Sequence, residues 1–158
     1  MSFAGILGTM KTPDPCRLYV HVVWSTLASV KSIEPERRAS IETHVIAGCR
    51  WLGAEPIEVC ALPDRVHLLV RLAPVLSVQE LVERLRDGVE NHLAESGRVV
   101  RWAPGFAAVS VSVADVRRIR RRLASLGIAD EPRSIRSPAS RARSRFAHPR
   151  SRFAHPRG

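Results

Sequence analysis

The chain of 158 residues is long enough for one domain with a buried core, and its apolar content of 45% is typical of a globular protein. Its net charge of +10 is unevenly spread, because all 15 acidic residues precede residue 132 and residues 132–158 hold eight arginines. No apolar run approaches the length of a membrane span and the first residues lack a signal-peptide pattern, so we expect a cytoplasmic protein with no membrane partner.

The three cysteines, Cys16, Cys49 and Cys60, have no CxxC spacing. An odd number of cysteines without metal-ligand spacing favours buried free thiols in a reducing compartment over a disulfide frame or a zinc site.

The first predicted strand is residues 16–26, which are rich in β-branched and aromatic side chains. A helix is predicted next, because Pro35 is typical of the first turn of a helix and Gly53 of the position just past a helix end. Four apolar residues at helical spacing form its predicted buried face: Ile41, Val45, Cys49 and Leu52. Residues 56–62 and the alternating segment 65–72 then predict a β-hairpin.

The second helix is predicted over residues 77–93, where Ser77 and Glu80 have the spacing of a capping box. Residues 105–112 predict a fourth strand, and a last helix follows that Gly127 is expected to close. The apolar face of this last helix consists of Val116, Ile119, Leu123 and Leu126.

This order of elements predicts an α+β, ferredoxin-like βαββαβ fold, with an antiparallel sheet, helices on one face and an additional C-terminal helix. The predicted organisation is an N-terminal extension (1–16), a ferredoxin-like domain (17–127) and a basic low-complexity tail (128–158).

The tail contains the heptapeptide SRFAHPR twice in succession, at 144–150 and 151–157, and too few apolar residues to pack. We favour the interpretation that this end is translated repetitive DNA or a frameshifted end. The alternative is a disordered basic arm that binds nucleic acid electrostatically.

Four stretches occur in the order and spacing of a known family: HVVWST (21–26), LPDRVHLLV (62–70), SVQELVERLR (77–86) and WAPGFAAVSVS (102–112). Together they resemble the single-tyrosine HUH transposases, the insertion-sequence-200-like and REP-associated tyrosine transposases, over roughly residues 17–126.

The resemblance implies a specific chemistry. In that family, two histidines at i and i+2 on a strand hold a divalent metal (Mg or Mn), and a tyrosine on the last helix attacks single-stranded DNA. In this chain the first histidine position holds Arg65 and only the second, His67, is a histidine, a residual metal ligand at most. Without gaps, the tyrosine position aligns with Arg122 and the following polar position with Leu126, while the chain's single tyrosine is Tyr19.

The catalytic site therefore resembles a degenerate one, and we expect no cofactor unless the family's metal site is functional. For His67 the simpler interpretation is a strand histidine that makes an ordinary hydrogen bond. His21 and His44 have no partner at a recognisable spacing, which predicts structural or exposed roles.

The segment RRIRRR (117–122) places five arginines on the last helix. The guanidinium group of arginine can donate two parallel hydrogen bonds to one phosphate group. The predicted nucleic-acid-binding residues are Arg65, Arg117, Arg118, Arg120, Arg121, Arg122 and, as a base-stacking residue, Trp102. Trp24 and Trp51 are predicted to lie in the core. The expected partner is single-stranded or hairpin DNA, and the resemblance leaves a homodimer open.

Three functional hypotheses result. The first is a transposase-family protein that binds DNA without cleaving it, and we rank it first. The second is an active transposase or nickase whose catalytic residues are misaligned above. The third is a decayed reading frame with no selected function, which the repeated tail and the lost site residues support.

Overall fold

The computed structural model describes residues 17–130. Its strands and helices are β1 (Tyr19–Ser25), α1 (Pro35–Trp51), β2 (Glu55–Ala61), β3 (Arg65–Arg71), α2 (Val78–Ala94), β4 (Ala107–Val111) and α3 (Val116–Asp130). The predicted N-terminal extension (1–16), Cys16 and the repeated basic arm lie outside the described residues.

The four strands form one antiparallel sheet in the order β2-β3-β1-β4. This is the ferredoxin-like arrangement, so the predicted fold class is confirmed. In the centre of the sheet, β1 pairs with β3 so that Val23 lies opposite His67 and His21 opposite Leu69. On its other side, β1 pairs with β4, which brings Val109 opposite His21.

The helix boundaries follow from local chemistry. Pro35 occupies the first turn of α1, where its missing N–H costs no hydrogen bond. Gly53 has a φ of +77°, a left-handed conformation that glycine adopts without strain, and it follows the helix end as predicted. The Ser77 hydroxyl accepts a hydrogen bond from the Glu80 N–H at 3.1 Å, which confirms the predicted cap of α2.

The main core lies between one face of the sheet and helices α1 and α2. Alternate residues of β1 and β3 point into it, and Trp24 is the largest side chain there. The predicted helical stripe on α1 is confirmed for Ile41, Val45 and Cys49, which are fully buried. Trp51, however, was wrongly predicted to be a core residue: it is 79% exposed because it falls outside that stripe.

Helix α3 packs on the opposite face of the sheet. Leu123 is 1% exposed and forms a second apolar cluster with Cys60 of β2 and Leu69 of β3. The other predicted apolar residues of α3 pack against the same cluster: Val116, Ile119 and Leu126. Arginine side chains of the helix are thereby left on its exposed sides.

The prediction that Gly127 closes α3 is wrong, because the helix continues to Asp130. Glycine inside a helix costs roughly 1 kcal/mol relative to alanine, which favours a stop. Here α3 lies close to β2, and a Cβ at Gly127 would stand 3.5 Å from the Cys60 sulfur. This packing against the sheet holds the helix past the glycine.

Cys49 and Cys60 are buried thiols outside any disulfide, as predicted, and burial raises the pKa of the Cys49 thiol to about 12. Within residues 17–130, no helix is both long and apolar enough to span a bilayer.

Candidate nucleic-acid interface

His67 lies on the face of the sheet that α3 covers, and it has a histidine neighbour. The Nε2 atom of His21, on β1, lies 3.2 Å from the Nδ1 atom of His67, on β3. The two rings stack with centroids 5.4 Å apart and an interplanar angle of 19°. The ordinary hydrogen bond expected of His67 is confirmed, and its partner is His21, to which it has no recognisable sequence spacing.

Both histidines are held in their neutral form. Burial, followed by the charges of His21, Arg65 and Arg122, lowers the pKa of His67 to about 4. Burial and then the charge of Arg122 lower the pKa of His21. At neutral pH the pair therefore shares one N–H···N hydrogen bond between two uncharged rings.

Arg65 points to the same face of β3 as His67 but is bound by its own neighbour. Its Nε and Nη2 atoms donate to the two carboxylate oxygens of Asp64 at 3.0 and 2.9 Å. This bidentate pair lowers the pKa of Asp64 and raises that of Arg65. Because the Arg65 side chain is 43% exposed, its remaining N–H groups can still contact a phosphate.

The arginines of α3 divide into different environments. Arg118 donates from Nε and Nη2 to the carboxylate of Asp115, and Arg120 donates to Glu58 on β2 at 3.3 Å. Arg117 and Arg121 line a surface groove together with Arg120.

Arg122 is an exposed residue of α3, next to the buried Leu123. Its charge contributes, after burial, to the lowered pKa of both His21 and His67. The tyrosine position of the resembled motif thus holds a cation that acts on His67. Leu126, at the motif's polar position, packs in the second apolar cluster.

These donors do not fit the divalent metal that the resemblance implies. His67 and His21 supply imidazole nitrogens, but their rings are stacked and their facing nitrogens are bonded to each other. The Asp64 carboxylate is engaged by Arg65, and two guanidinium groups stand nearby. Among residues 17–130, no group of three or more His, Cys, Asp or Glu side chains could hold a metal ion.

Tyr19 lies two residues from His21 on the same face of β1, but it is farther from His67. It opposes Arg71 on β3, whereas His67 lies opposite Val23, four residues farther along β1. At roughly 3.3 Å per residue, about 13 Å of strand separates the two positions. Because side chains stand roughly perpendicular to a sheet, this spacing disfavours contact of Tyr19 and His67 with the same phosphate.

Trp102, the predicted base-stacking residue, lies against the core. Its ring meets Trp24 edge-on, with centroids 6.3 Å apart at 76°. Its backbone forms an isolated β-bridge with Thr26. Stacking of a base on Trp102 stays a prediction, and it would have to use the part of the ring that this contact leaves exposed.

Two partners in this site were missed in the sequence, His21 and Asp64. His21 lies 46 residues from His67, so only the pairing of β1 with β3 reveals the contact. Asp64 precedes Arg65 directly, and a carboxylate beside an arginine at a strand start was a signal that could have been used.

Comparison with known proteins gives a consistent result. The family model described as IS200-like transposase matches residues 16–123. None of the curated proteins matches the chain.

Solved structures share the fold, among them the following two. One is a transposase candidate from Deinococcus radiodurans R1, with a TM-score of 0.53, 20% identity, and coverage of 68% of this chain and 89% of that one. The other is a REP-associated tyrosine transposase bound to a REP hairpin, with a TM-score of 0.54, 12% identity, and coverage of 72% of this chain and 68% of that one. At these identities the two likenesses show the fold alone.

Proposed function

The chain belongs to the family of IS200-like transposases, and from this premise we propose that it binds single-stranded or hairpin DNA without cleaving it. A structural neighbour of the same fold is a tyrosine transposase bound to a REP hairpin, which supports hairpin DNA as the partner.

One observation carries the proposal: the α3 position that aligns with the family's tyrosine holds Arg122, whose charge acts on the histidine pair. Cleavage by this family requires a nucleophile on the last helix. A guanidinium group has five N–H donors and no lone pair, so it can bind a phosphate oxygen but cannot attack phosphorus. Arg65 likewise replaces a metal ligand with a phosphate-binding group.

The charges around the site favour an anion. The charges of Arg65 and Arg122 act on the neutral ring of His67, and Arg117 and Arg121 line a groove beside α3. Asp64 and Glu58 each neutralise one arginine of this surface. Arg122, Arg117 and Arg121 are the residues that we propose to contact the DNA backbone, with Arg65 as a weaker contact because Asp64 holds two of its donors.

We expect the full chain to bind a labelled hairpin more tightly than an unstructured strand of equal length. This preference should persist as salt is raised, because non-specific phosphate contacts weaken steeply with salt. Fluorescence anisotropy over a salt series measures both affinities. Equal affinity for the two DNAs at every salt concentration would instead favour the third hypothesis, a decayed reading frame whose arginines bind any polyanion.

Arg122→Ala is expected to weaken hairpin binding by about tenfold, as for loss of a hydrogen bond to a charged group, and to reduce the salt slope by about one. Arg118→Ala is the matched control: it removes the same charge from the same helix, but Asp115 already binds that guanidinium. We expect the control to stay within about twofold of the wild type. If both variants lose affinity equally, α3 contributes to hairpin binding only through its net charge and not through a specific contact of Arg122.

Wild-type protein incubated with hairpin DNA and Mg²⁺ or Mn²⁺ is expected to form no covalent protein–DNA adduct. The physical reason is that Tyr19, the chain's single tyrosine, stands at the far end of β1 from His67. Denaturing gel electrophoresis of labelled DNA measures the adduct, with Tyr19→Phe run beside it. An adduct that disappears in Tyr19→Phe would show that the protein is an active nickase.

A further inference from the structure

A second feature lies where β1 ends. After Ser25 the chain turns through a short 3-10 helix, Leu27–Ser29, in which Ala28 and Ser29 both have a φ of +53°. This left-handed conformation is unfavourable for residues that carry a Cβ. Such strain persists only where surrounding contacts impose it, and it is concentrated at functional sites.

Those contacts come from Thr26, which is 1% exposed. Its N–H donates to the Asp64 carbonyl at 2.8 Å, and its hydroxyl donates to the Val30 carbonyl at 2.6 Å. The next residue, Leu27, donates its N–H to the Arg101 carbonyl at 2.7 Å. The turn is therefore fixed to the β2–β3 loop and to the segment before β4.

The fixed turn presents apolar side chains to solvent. Leu27 is 47% exposed and Val30 is 58% exposed. Two exposed basic residues adjoin them: Lys31 follows Val30 in the chain, and Arg101 accepts the Leu27 N–H through its backbone carbonyl. The charge of Lys31 also contributes to the lowered pKa of Asp64. The nearby acid, Asp64, is engaged by Arg65. A small aliphatic centre with a cationic rim results.

We propose that this turn binds the open end of a DNA hairpin stem. Leu27 and Val30 would pack on the flat face of the last base pair, while Lys31, Arg65 and Arg101 contact the phosphates beside it. Aliphatic side chains are used in this way as wedges against base steps. This inference rests on the proposed hairpin binding. It identifies the last base pair of the stem, which an unstructured single strand lacks, as the part of the DNA that the turn binds.

The rigidity of the turn supports the proposal. A surface that is already ordered loses little conformational freedom on binding, so two exposed aliphatic side chains can contribute to affinity. The cationic rim favours a phosphate backbone over an uncharged protein partner. An unstructured strand presents no terminal base pair, so the turn contributes to hairpin binding alone.

The test uses the full-length double variant Leu27→Ser/Val30→Ser and a hairpin with 2-aminopurine in the last stem pair. The matched control is Val75→Ser, since Val75 is 94% exposed and follows β3 at the opposite end of the sheet. Because Leu27 and Val30 are both solvent-exposed, the double variant should have the same midpoint of thermal unfolding as the wild type. The midpoints of both proteins are measured in parallel.

We expect the wild type and Val75→Ser to change the 2-aminopurine fluorescence on binding. The double variant should lose this change and bind the hairpin about tenfold more weakly, with affinity for the unstructured strand within about twofold of wild type. A double variant that keeps both the signal and the hairpin preference overturns this inference and leaves the proposed function standing. A wild type that binds neither DNA overturns both.

Discussion

Replacing Leu123 with alanine is expected to lower the free energy of unfolding by about 3 kcal/mol, within the range for buried leucine truncations. Leu123 is 1% exposed and joins α3 to Cys60 and Leu69 of the sheet. Because these three are the fully buried residues of the second cluster, a cavity there removes much of what holds α3 on the sheet. Urea denaturation monitored by circular dichroism measures the change.

Two control substitutions separate the effect of lost side-chain volume from the effect of the position of the side chain in the fold. Leu123→Met conserves volume and should cost less than about 1.5 kcal/mol. Val75→Ala removes a similar amount of apolar side chain from a site that is 94% exposed, and it should change stability by less than about 0.5 kcal/mol. A loss below about 1 kcal/mol in Leu123→Ala would mean that α3 is held chiefly by its other contacts.

Much of the fold could be predicted because its signals are local. Alternation along β3 places Val66, Leu68 and Val70 in the main core, and all three are fully buried. Pro35 and Ser77 begin their helices through local contacts, as local chemistry predicts. The strand order then follows from the ferredoxin-like pattern, because few other arrangements satisfy that order of elements.

The misassigned residues depend on information that local pattern does not contain. Gly127 has the composition of a helix stop, but the packing of α3 on β2 overrides it. Trp51 is apolar, but its position around α1 lies outside the stripe formed by Ile41, Val45 and Cys49. The apolar side chain of Trp51 indicated burial, but its angular position around α1 leaves it exposed.

The candidate site was predictable in part. The motif spacing predicted Arg65, His67 and Arg122 as members of one site, and the charges of both arginines contribute, after burial, to the lowered pKa of His67. The His21–His67 contact could not be derived, because it requires the register between β1 and β3. The backbone role of Asp64 was also hidden, since its carbonyl accepts a hydrogen bond from Thr26, a residue 38 positions away, whereas its carboxylate partner Arg65 is adjacent in the sequence.

The stability of the wild type is expected to fall by about 1–2 kcal/mol between pH 7 and pH 5 through His67. Its pKa is about 4 in the folded protein and 6.5 in the unfolded chain, chiefly because burial disfavours the charged ring. Between these values the unfolded chain binds more protons than the folded one. The stabilisation is therefore present above pH 6.5 and is lost as pH falls toward 4. Urea denaturation at a series of pH values measures this slope.

His67→Gln isolates the effect, because glutamine can still hydrogen-bond to His21 but does not titrate in this range. Its stability should vary less between pH 7 and pH 5 than that of the wild type. His44→Gln is the comparison variant: the pKa of His44 is also lowered by burial and by His92, but His44 lies on α1, on the other side of the sheet. We expect that variant to keep most of the wild-type slope. If His67→Gln kept the full slope instead, other groups would carry the pH dependence, and His67 would not be held neutral by its surroundings.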